Sequence, residues 1–217
     1  MNCQTSELTL EIPETRSINP AKIRGYIASK HIENSIFHQH TGNELHYRYP
    51  LIHYHIINTT PVITGWQEGV QETEKLFKQL SHLQIDNKKI YIHRKKFVTK
   101  KQKFGISNKK NKYMFISPWL ALNNNNYQRF LSTSTKLKKG FLEKILTGNI
   151  LSASKGLDYT VEARIKPSII YTQQIKTKLK GTPLVAFKGA FEVNFDLPEL
   201  FGVGKSVSRG FGAVKRI

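Results

Sequence analysis

The sequence contains a single cysteine, Cys3, in 217 residues. One thiol cannot form an internal disulfide, and it falls short of the thiols that a cysteine-based zinc cluster needs. No apolar run is long enough to span a membrane, and the N-terminus lacks the apolar centre of a signal peptide. We therefore expect a protein of the reducing cytoplasm with no membrane partner.

The sequence also has few carboxylates. Fifteen Asp and Glu residues face thirty-four Lys and Arg residues, so the formal net charge is +19, and no acid lies between Asp86 and Glu143. The segment from Arg94 to Lys112 carries nine Lys or Arg in nineteen residues, interleaved with Phe97 and other apolar residues, which indicates a basic, β-rich face. Such a charge is typical of proteins that bind a polyanion, and without a basic amphipathic helix nucleic acid is the predicted partner.

The scattered acids also bear on metal chemistry. A two-metal nuclease needs clustered Asp and Glu, and this chain has no such motif. His38-x-His40 and His53-x-His55 could each share a zinc ion, but they lack cysteine or carboxylate partners to complete the ligand set. The sequence therefore predicts neither a metal site nor a cofactor.

Glycine is concentrated at the end of the chain, where residues 202–217 hold four glycines and four cations. Glycine tolerates positive φ and close approach, so this segment could direct amide hydrogens at an anion. A nucleotide P-loop is excluded because its pattern needs glycine where Glu199 stands. The alternative is a turn that leads into a last strand. The candidate phosphate-binding residues are Gly202, Gly204, Lys205, Ser206, Arg209, Gly210 and Gly212.

The first half of the chain predicts the order β-α-β-β-α-β. Asn19 caps a helix that begins at Pro20 and runs to about His40, and alternation predicts a strand over Leu45 to Ile57. A short strand, a helix near Glu68 to His82 and a strand from Lys89 follow. This is one ferredoxin-like unit.

The second half predicts a strand, helical segments over Asn123 to Leu151 with breaks near Ser132 and Gly140, and three more strands, the last over Lys205 to Arg216. We interpret the fold class as α+β, with two tandem ferredoxin-like (βαββαβ) domains and a C-terminal glycine-rich loop. The predicted domains are 1–108, with the candidate catalytic histidines, and 109–217, with the loop.

Three segments give the chain a family resemblance: the capped helix with its histidines followed by Tyr47 to Tyr54, the segment Trp119 to Tyr127, and the glycine loop. In these segments the chain resembles the CRISPR-associated protein 6 family, endoribonucleases that cut repeat RNA into guide RNAs. The resemblance implies RNA bound across basic grooves and metal-independent attack of a 2′-hydroxyl on the adjacent phosphate. The products would carry 2′,3′-cyclic phosphate and 5′-hydroxyl ends.

The resemblance places the catalytic histidine at the end of the first helix, where His38 and His40 stand, and it does not choose between them. Histidine suits both proton steps because its pKa is near neutrality. Tyr47 could orient the ribose or a phosphate oxygen, with strand packing as the alternative. Lys30 and Arg48 could stabilise the pentavalent phosphate. Further candidate RNA-binding residues are Lys95, Lys96, Lys100, Lys101 and Arg129.

Two other functions fit the same composition. The chain could be a noncatalytic RNA-binding subunit of a CRISPR effector complex, in which the histidines only pack, or a general nucleic-acid chaperone. The sequence also leaves open whether a homodimer forms and whether the cleaved product passes to an effector complex.

Overall fold

The computed structural model describes residues 1–13, 18–34, 36–37, 40–41, 44–45 and 49–217, with 40–41 and 44–45 described by their backbone. The chain folds as two compact units. The N-terminal unit comprises residues 2–102 with 208–210, and the C-terminal unit comprises Met1, residues 103–207 and residues 211–217. None of the described helices is both long and apolar enough to cross a membrane.

The N-terminal unit has a four-stranded sheet and two helices. Its elements are β1 (Asn2–Glu11), α1 (Pro20–Lys30), β2 (His40–Thr41), β3 (Glu44–Leu45), β4 (Ile52–Ile57), β5 (Thr60–Trp66), α2 (Gly69–Gln79), β6 (His82–Ile85), β7 (Lys88–Tyr91) and β8 (Arg94–Lys103). The sheet order is β4-β5-β1-β8, while β2-β3 and β6-β7 form separate two-stranded sheets. The helices alternate with the main strands as the sequence predicts, so this half is ferredoxin-like.

Helix α1 begins where the sequence places it. The side chain of Asn19 accepts a hydrogen bond from the Lys22 amide at 3.0 Å, and Pro20 occupies the first turn, where its missing N–H costs nothing. Ile23 and Ile27 are buried in a core that also contains Leu8 of β1. The cap and the buried face together fix the position of this helix.

The predicted extension of α1 to about His40 is wrong, because the helix ends at Lys30. His31 leaves the helical conformation, with φ −126° and ψ 50°. Asn34 then builds a turn: its side-chain oxygen accepts from the Ile36 amide at 3.0 Å, and its carbonyl accepts from Phe37 at 3.1 Å. Asparagine competes with the helix in this way because its short side chain reaches nearby backbone amides.

The C-terminal unit repeats this topology, except that it lacks the second helix in the described structure. Its elements are β9 (Gly105–Phe115), α3 (Asn124–Ser132), α4 (Thr135–Gly156), β10 (Ser168–Leu179), β11 (Thr182–Asp196), a 3₁₀ turn (Val207–Arg209) and β12 (Val214–Arg216). The sheet order β10-β11-β9-β12 places its second, third, first and fourth strands side by side, as in the N-terminal unit. Glycine-rich residues stand where the second helix of a ferredoxin-like unit would be.

Two boundaries in this half differ from expectation. The helical segment breaks at residues 133–134, near the predicted Ser132, but Gly140 lies inside α4. The last strand covers only Val214–Arg216, because Val207–Arg209 form a 3₁₀ turn. The basic segment is β-rich as predicted, but the strand expected from Lys89 is divided into β7 and β8, and the next strand, expected at about Tyr113, begins at Gly105 as β9.

The glycine loop, residues 202–212, is held by close packing. An added Cβ on Gly212, which has φ +68°, would lie 2.0 Å from the Val203 carbonyl oxygen, and one on Gly204 would lie 2.8 Å from the Trp119 ring. The Val203 amide donates to the Gly212 carbonyl at 2.8 Å, and the Gly212 amide donates to Pro118 at 2.9 Å. These two glycines are therefore required by the fold itself.

Two of the histidines, His53 and His55 on β4, are core residues. Their side chains are 0 % and 3 % exposed, and the His53 ring packs 5.5 Å from the Trp66 ring. His55 Nε2 forms a 3.2 Å hydrogen bond with the Thr64 hydroxyl, and His53 Nε2 forms one of 3.0 Å with the Pro50 carbonyl. Burial lowers the pKa of both rings, that of His55 to about 4. Both rings are neutral at physiological pH.

The cysteine is also structural. Cys3 is fully buried on β1, and burial raises the pKa of its thiol to about 11. A thiol that stays protonated is a poor nucleophile. Cys3 therefore packs as a small apolar residue.

The buried histidines predict a specific loss of stability in acid. The unfolded chain binds a proton near pH 6.5 and folded His55 only near pH 4, so the free energy of unfolding falls as the pH drops below about 6.5. His55→Gln should reduce this slope by about 1.4 kcal/mol per pH unit. Urea unfolding of wild type and variant between about pH 7 and pH 5 measures it. The exposed His93 supplies the control, and equal slopes in His55→Gln and His93→Gln would contradict the burial argument.

The glycine loop predicts a sharp contrast between two Gly→Ala substitutions. Gly212→Ala should destabilise the chain by about 2 kcal/mol or more, because the new methyl group meets a carbonyl oxygen at positive φ. Gly140→Ala, in open space on α4, should stabilise it by about 0.5–1 kcal/mol. Thermal or urea unfolding compares the two, and a tolerated Gly212→Ala would show that the loop is not held by this contact.

Candidate functional site

The predicted catalytic residues follow the end of α1. Lys30 is exposed at the last position of that helix. His38, Tyr47 and Arg48 lie outside the described residues. The backbone of His40 pairs with that of Leu45 in the β2-β3 hairpin. His31 lies beyond the end of α1.

The other described histidines have structural neighbours or lie apart from this segment. The His31 ring stacks on Phe37 with a centroid distance of 4.8 Å. His82 uses both ring nitrogens: Nε2 lies 3.2 Å from the Tyr26 hydroxyl and Nδ1 lies 3.1 Å from the Ser81 hydroxyl. His93 is exposed between β7 and β8.

The cations of β8 fall into two environments. Lys95 donates a hydrogen bond to the Phe77 carbonyl, and its ammonium group lies 5.5 Å from the centre of the Phe77 ring. Lys96, Lys100 and Lys101 are exposed. Because side chains alternate along a strand, Lys96 and Lys100 share one face of β8 and Lys101 shares the other with Lys95. Lys96 and Lys100 form the more open pair.

In the C-terminal unit, Lys205 and Arg129 are exposed. The guanidinium carbon of Arg129 lies 5.8 Å from the centre of the Phe141 ring. The Lys205 amide donates to the Leu120 carbonyl at 3.0 Å, so its side chain, and not its N–H, is the group that faces solvent. Ser206 has φ +57°.

Several backbone amides of the glycine loop, which were expected to face an anion, are hydrogen-bonded within the fold. The amides of Val203, Lys205 and Gly212 all donate to backbone carbonyls of the same unit. Gly202 is buried and bridges Ala213. These amides cannot also hold a phosphate. Arg209 and Gly210 belong to the N-terminal unit.

No sequence pattern marks Arg24, a half-buried residue of α1 on which the charge of Arg209 acts. Its surroundings lower the pKa of its guanidinium, first through burial and then through the charge of Arg209. A single arginine on a predicted helix carries no signal in a sequence, and only the tertiary position of the loop identifies it.

The carboxylates of the described residues are largely engaged. Glu72 accepts from Lys75 and Asn34, each at 2.8 Å, and Glu192 accepts from Lys110 at 2.6 Å. In the part of the chain that the structure describes, no three His, Cys, Asp or Glu side chains are arranged to hold a metal ion.

Two family models together match almost the whole chain. The model of the Cas6b N-terminal domain matches residues 1–103, and that of the Cas6b C-terminal domain matches residues 105–217. An uncharacterised protein of Methanocaldococcus jannaschii is 47% identical over 116 residues, which cover 54% of this chain and 79% of that protein.

Solved structures agree over the full length. A crystal structure of Cas6b is 34% identical, with a TM-score of 0.91, and the match covers 100% of both chains. A crystal structure of a CRISPR RNA processing endoribonuclease Cas6b is 30% identical, with a TM-score of 0.79 and the same coverage. By both of its domain models and by these full-length matches, the chain belongs to the Cas6b family.

Proposed function

We propose that this protein is a metal-independent endoribonuclease that cleaves CRISPR repeat RNA and so produces mature guide RNAs. The observation that carries the proposal is the match of both Cas6b domains, together with the full-length likeness to a CRISPR RNA processing endoribonuclease. The net charge of +19 suits a polyanionic substrate.

The described histidines support the choice of catalytic residues. His53 and His55 are buried, neutral and fixed by internal hydrogen bonds, so they cannot reach a substrate. The His31 ring is stacked on an aromatic core residue. His38 and His40 follow α1, at the place where the family resemblance puts acid-base chemistry.

The proposed reaction needs one base and one acid. A base takes the proton of a ribose 2′-hydroxyl, whose oxygen attacks the adjacent phosphorus. The bond from phosphorus to the 5′-oxygen of the next nucleotide then breaks, and an acid donates a proton to that oxygen. His38 and His40 are proposed for these roles, Tyr47 for orienting the reacting groups, and Lys30 and Arg48 for stabilising the phosphorane.

The acids of the chain support metal independence. A two-metal mechanism needs several carboxylates directed at one point. Glu72, Asp86 and Glu192 are instead paired with lysines at separate places. The positive charge that a metal would supply to the phosphorane is proposed to come from lysine and arginine.

Single-turnover cleavage of a labelled repeat RNA in EDTA tests the proposal. We expect one cut that leaves a cyclic phosphate, slowed on the order of 10²-fold or more by His38→Ala or His40→Ala. His93→Ala is the matched control, because that ring is exposed and lies outside the segment. Cleavage that requires Mg²⁺ would contradict the mechanism, and tight binding without any cut would instead identify a noncatalytic RNA-binding subunit.

A second experiment tests the RNA-binding surface. Lys205→Ala should weaken binding to a repeat RNA and lower the slope of log Kd against log salt by about 0.7. Lys75→Ala removes the same charge from a lysine that is paired with Glu72, and it should change neither quantity. Equal effects of the two variants would refute a specific role for Lys205, and equal affinity for repeat and scrambled RNA would identify a general chaperone.

The same basic residues are proposed to retain the product after cleavage. The protein's phosphate contacts can persist after cleavage, because the reaction removes no phosphate from the RNA. Retention would allow the guide RNA to pass directly to an effector complex.

A further inference from the structure

The N-terminal unit contains a cationic cluster at the point where the tripeptide Ser208–Gly210 meets α1. An added Cβ on Gly210 would lie 2.5 Å from Pro20 Cγ and 3.0 Å from the Tyr54 carbonyl oxygen, and φ at Gly210 is +86°. Glycine is required here because no side chain fits between helix and strand. The contact places Arg209 beside the first turns of α1.

Arg24 stands on the same side of α1 as Pro20. Residues four apart lie one above the other on a helix, so Arg24 follows Pro20 along the face that Gly210 contacts. Burial lowers the pKa of the Arg24 guanidinium, and the positive charge of Arg209 lowers it further. Both side chains are half-buried. Two half-buried cations therefore share this side of α1, and the charge of one acts on the other.

The repulsion between these two cations is not offset by an acid within the described residues. The ion pairs found there join other cations to their carboxylates, and neither Arg24 nor Arg209 is among them. Like charges in a poorly solvated place repel strongly. Such a pair is stabilised when an anion binds between its members.

Tyr54, whose carbonyl oxygen lies against Gly210, carries a third candidate donor. The Tyr54 hydroxyl is buried in a side chain that is 2 % exposed, and it has no hydrogen-bond partner in the described part of the chain. Burial raises the pKa of this phenol, and the positive charge of Arg24 partly opposes the rise. The hydroxyl therefore stays protonated and can donate a hydrogen bond. An unpaired buried donor is rare, and it is satisfied when a ligand supplies the acceptor.

We propose that Arg24, Arg209 and the Tyr54 hydroxyl bind one backbone phosphate of the RNA. Each guanidinium can donate two parallel hydrogen bonds to phosphate oxygens, and the phenol can donate one more. The site lies entirely within the N-terminal unit, with Ser208–Gly210 as part of that unit. This inference rests on the proposed function only in assigning the bound phosphate to an RNA chain.

Equilibrium binding tests the site with a repeat RNA that carries a 2′-deoxy nucleotide at the cut and so stays intact. Arg24→Gln and Arg209→Gln should each weaken binding about tenfold or more and lower the salt slope by about 0.7. The double variant should be little weaker than either single variant, because both arginines hold one phosphate. Tyr54→Phe should weaken binding less and leave the salt slope unchanged.

Lys22→Gln is the matched control. Lys22 lies on the same helix and carries the same charge, but it pairs with Asp86. It should change affinity by less than about threefold, as expected for an exposed pair. An equal loss for Arg24→Gln and Lys22→Gln would overturn the site in favour of a general charge effect.

Thermal unfolding without RNA separates this site from a structural role and from the proposed function. Arg24→Gln should not lower Tm, since it relieves a repulsion, and inorganic phosphate should raise the Tm of wild type more than that of the variant. A large fall in Tm with unchanged RNA affinity would overturn the inference. If wild type neither binds nor cuts repeat RNA, the proposed function fails, and the phosphate titration alone decides whether this anion site exists.

Discussion

Repulsion among thirty-four lysine and arginine side chains constrains this whole structure. The fold offsets part of it locally: Asp86 pairs with Lys22, Glu192 with Lys110, and the Lys138 ammonium lies 4.7 Å from the centre of the Phe130 ring. Fifteen acids cannot neutralise the rest. Many of the remaining cations in the described part of the chain are exposed on strands, and the half-buried pair Arg24 and Arg209 is the one that we propose binds a phosphate. A polyanion is thus the missing electrostatic partner of the free protein.

Local signals predicted the elements whose causes are themselves local. The Asn19 cap and Pro20 fixed the start of α1, and the break between α3 and α4 fell near the predicted Ser132. The end of α1 was wrong because Asn34 competes for the backbone, and helix periodicity does not register that competition. The helix break predicted near Gly140 was wrong for the opposite reason. The packing of α4 continues the helix through this glycine, whose presence in a helix costs only about 1 kcal/mol.

The site was less predictable than the fold, because its chemistry depends on burial. His53-x-His55 has the same pattern as His38-x-His40, yet it sits in the core and its rings are neutral. In the glycine loop, Gly204 and Gly212 fit the anticipated motif, but their neighbours Trp119 and Val203 explain them sterically. Arg24 and Tyr54 had no sequence signal, since their significance comes from a tripeptide that lies far along the chain. Composition can indicate the ligand class, while the grouping of particular cations into one proposed site depends on the tertiary structure.

The position of β8 gives its lysines a role that is separate from the proposed RNA binding. It is an edge strand of the four-stranded sheet, and an edge strand exposes unpaired backbone groups that can recruit a strand from another molecule. Lysines along such an edge oppose that recruitment because each added copy would bring like charges together. In a family member that did not bind RNA, the need to avoid this association would still favour Lys96, Lys100 and Lys101. Their retention among relatives would therefore be a poor indicator of RNA binding, and their replacement by neutral residues would favour self-association before any effect on the nucleic acid was felt.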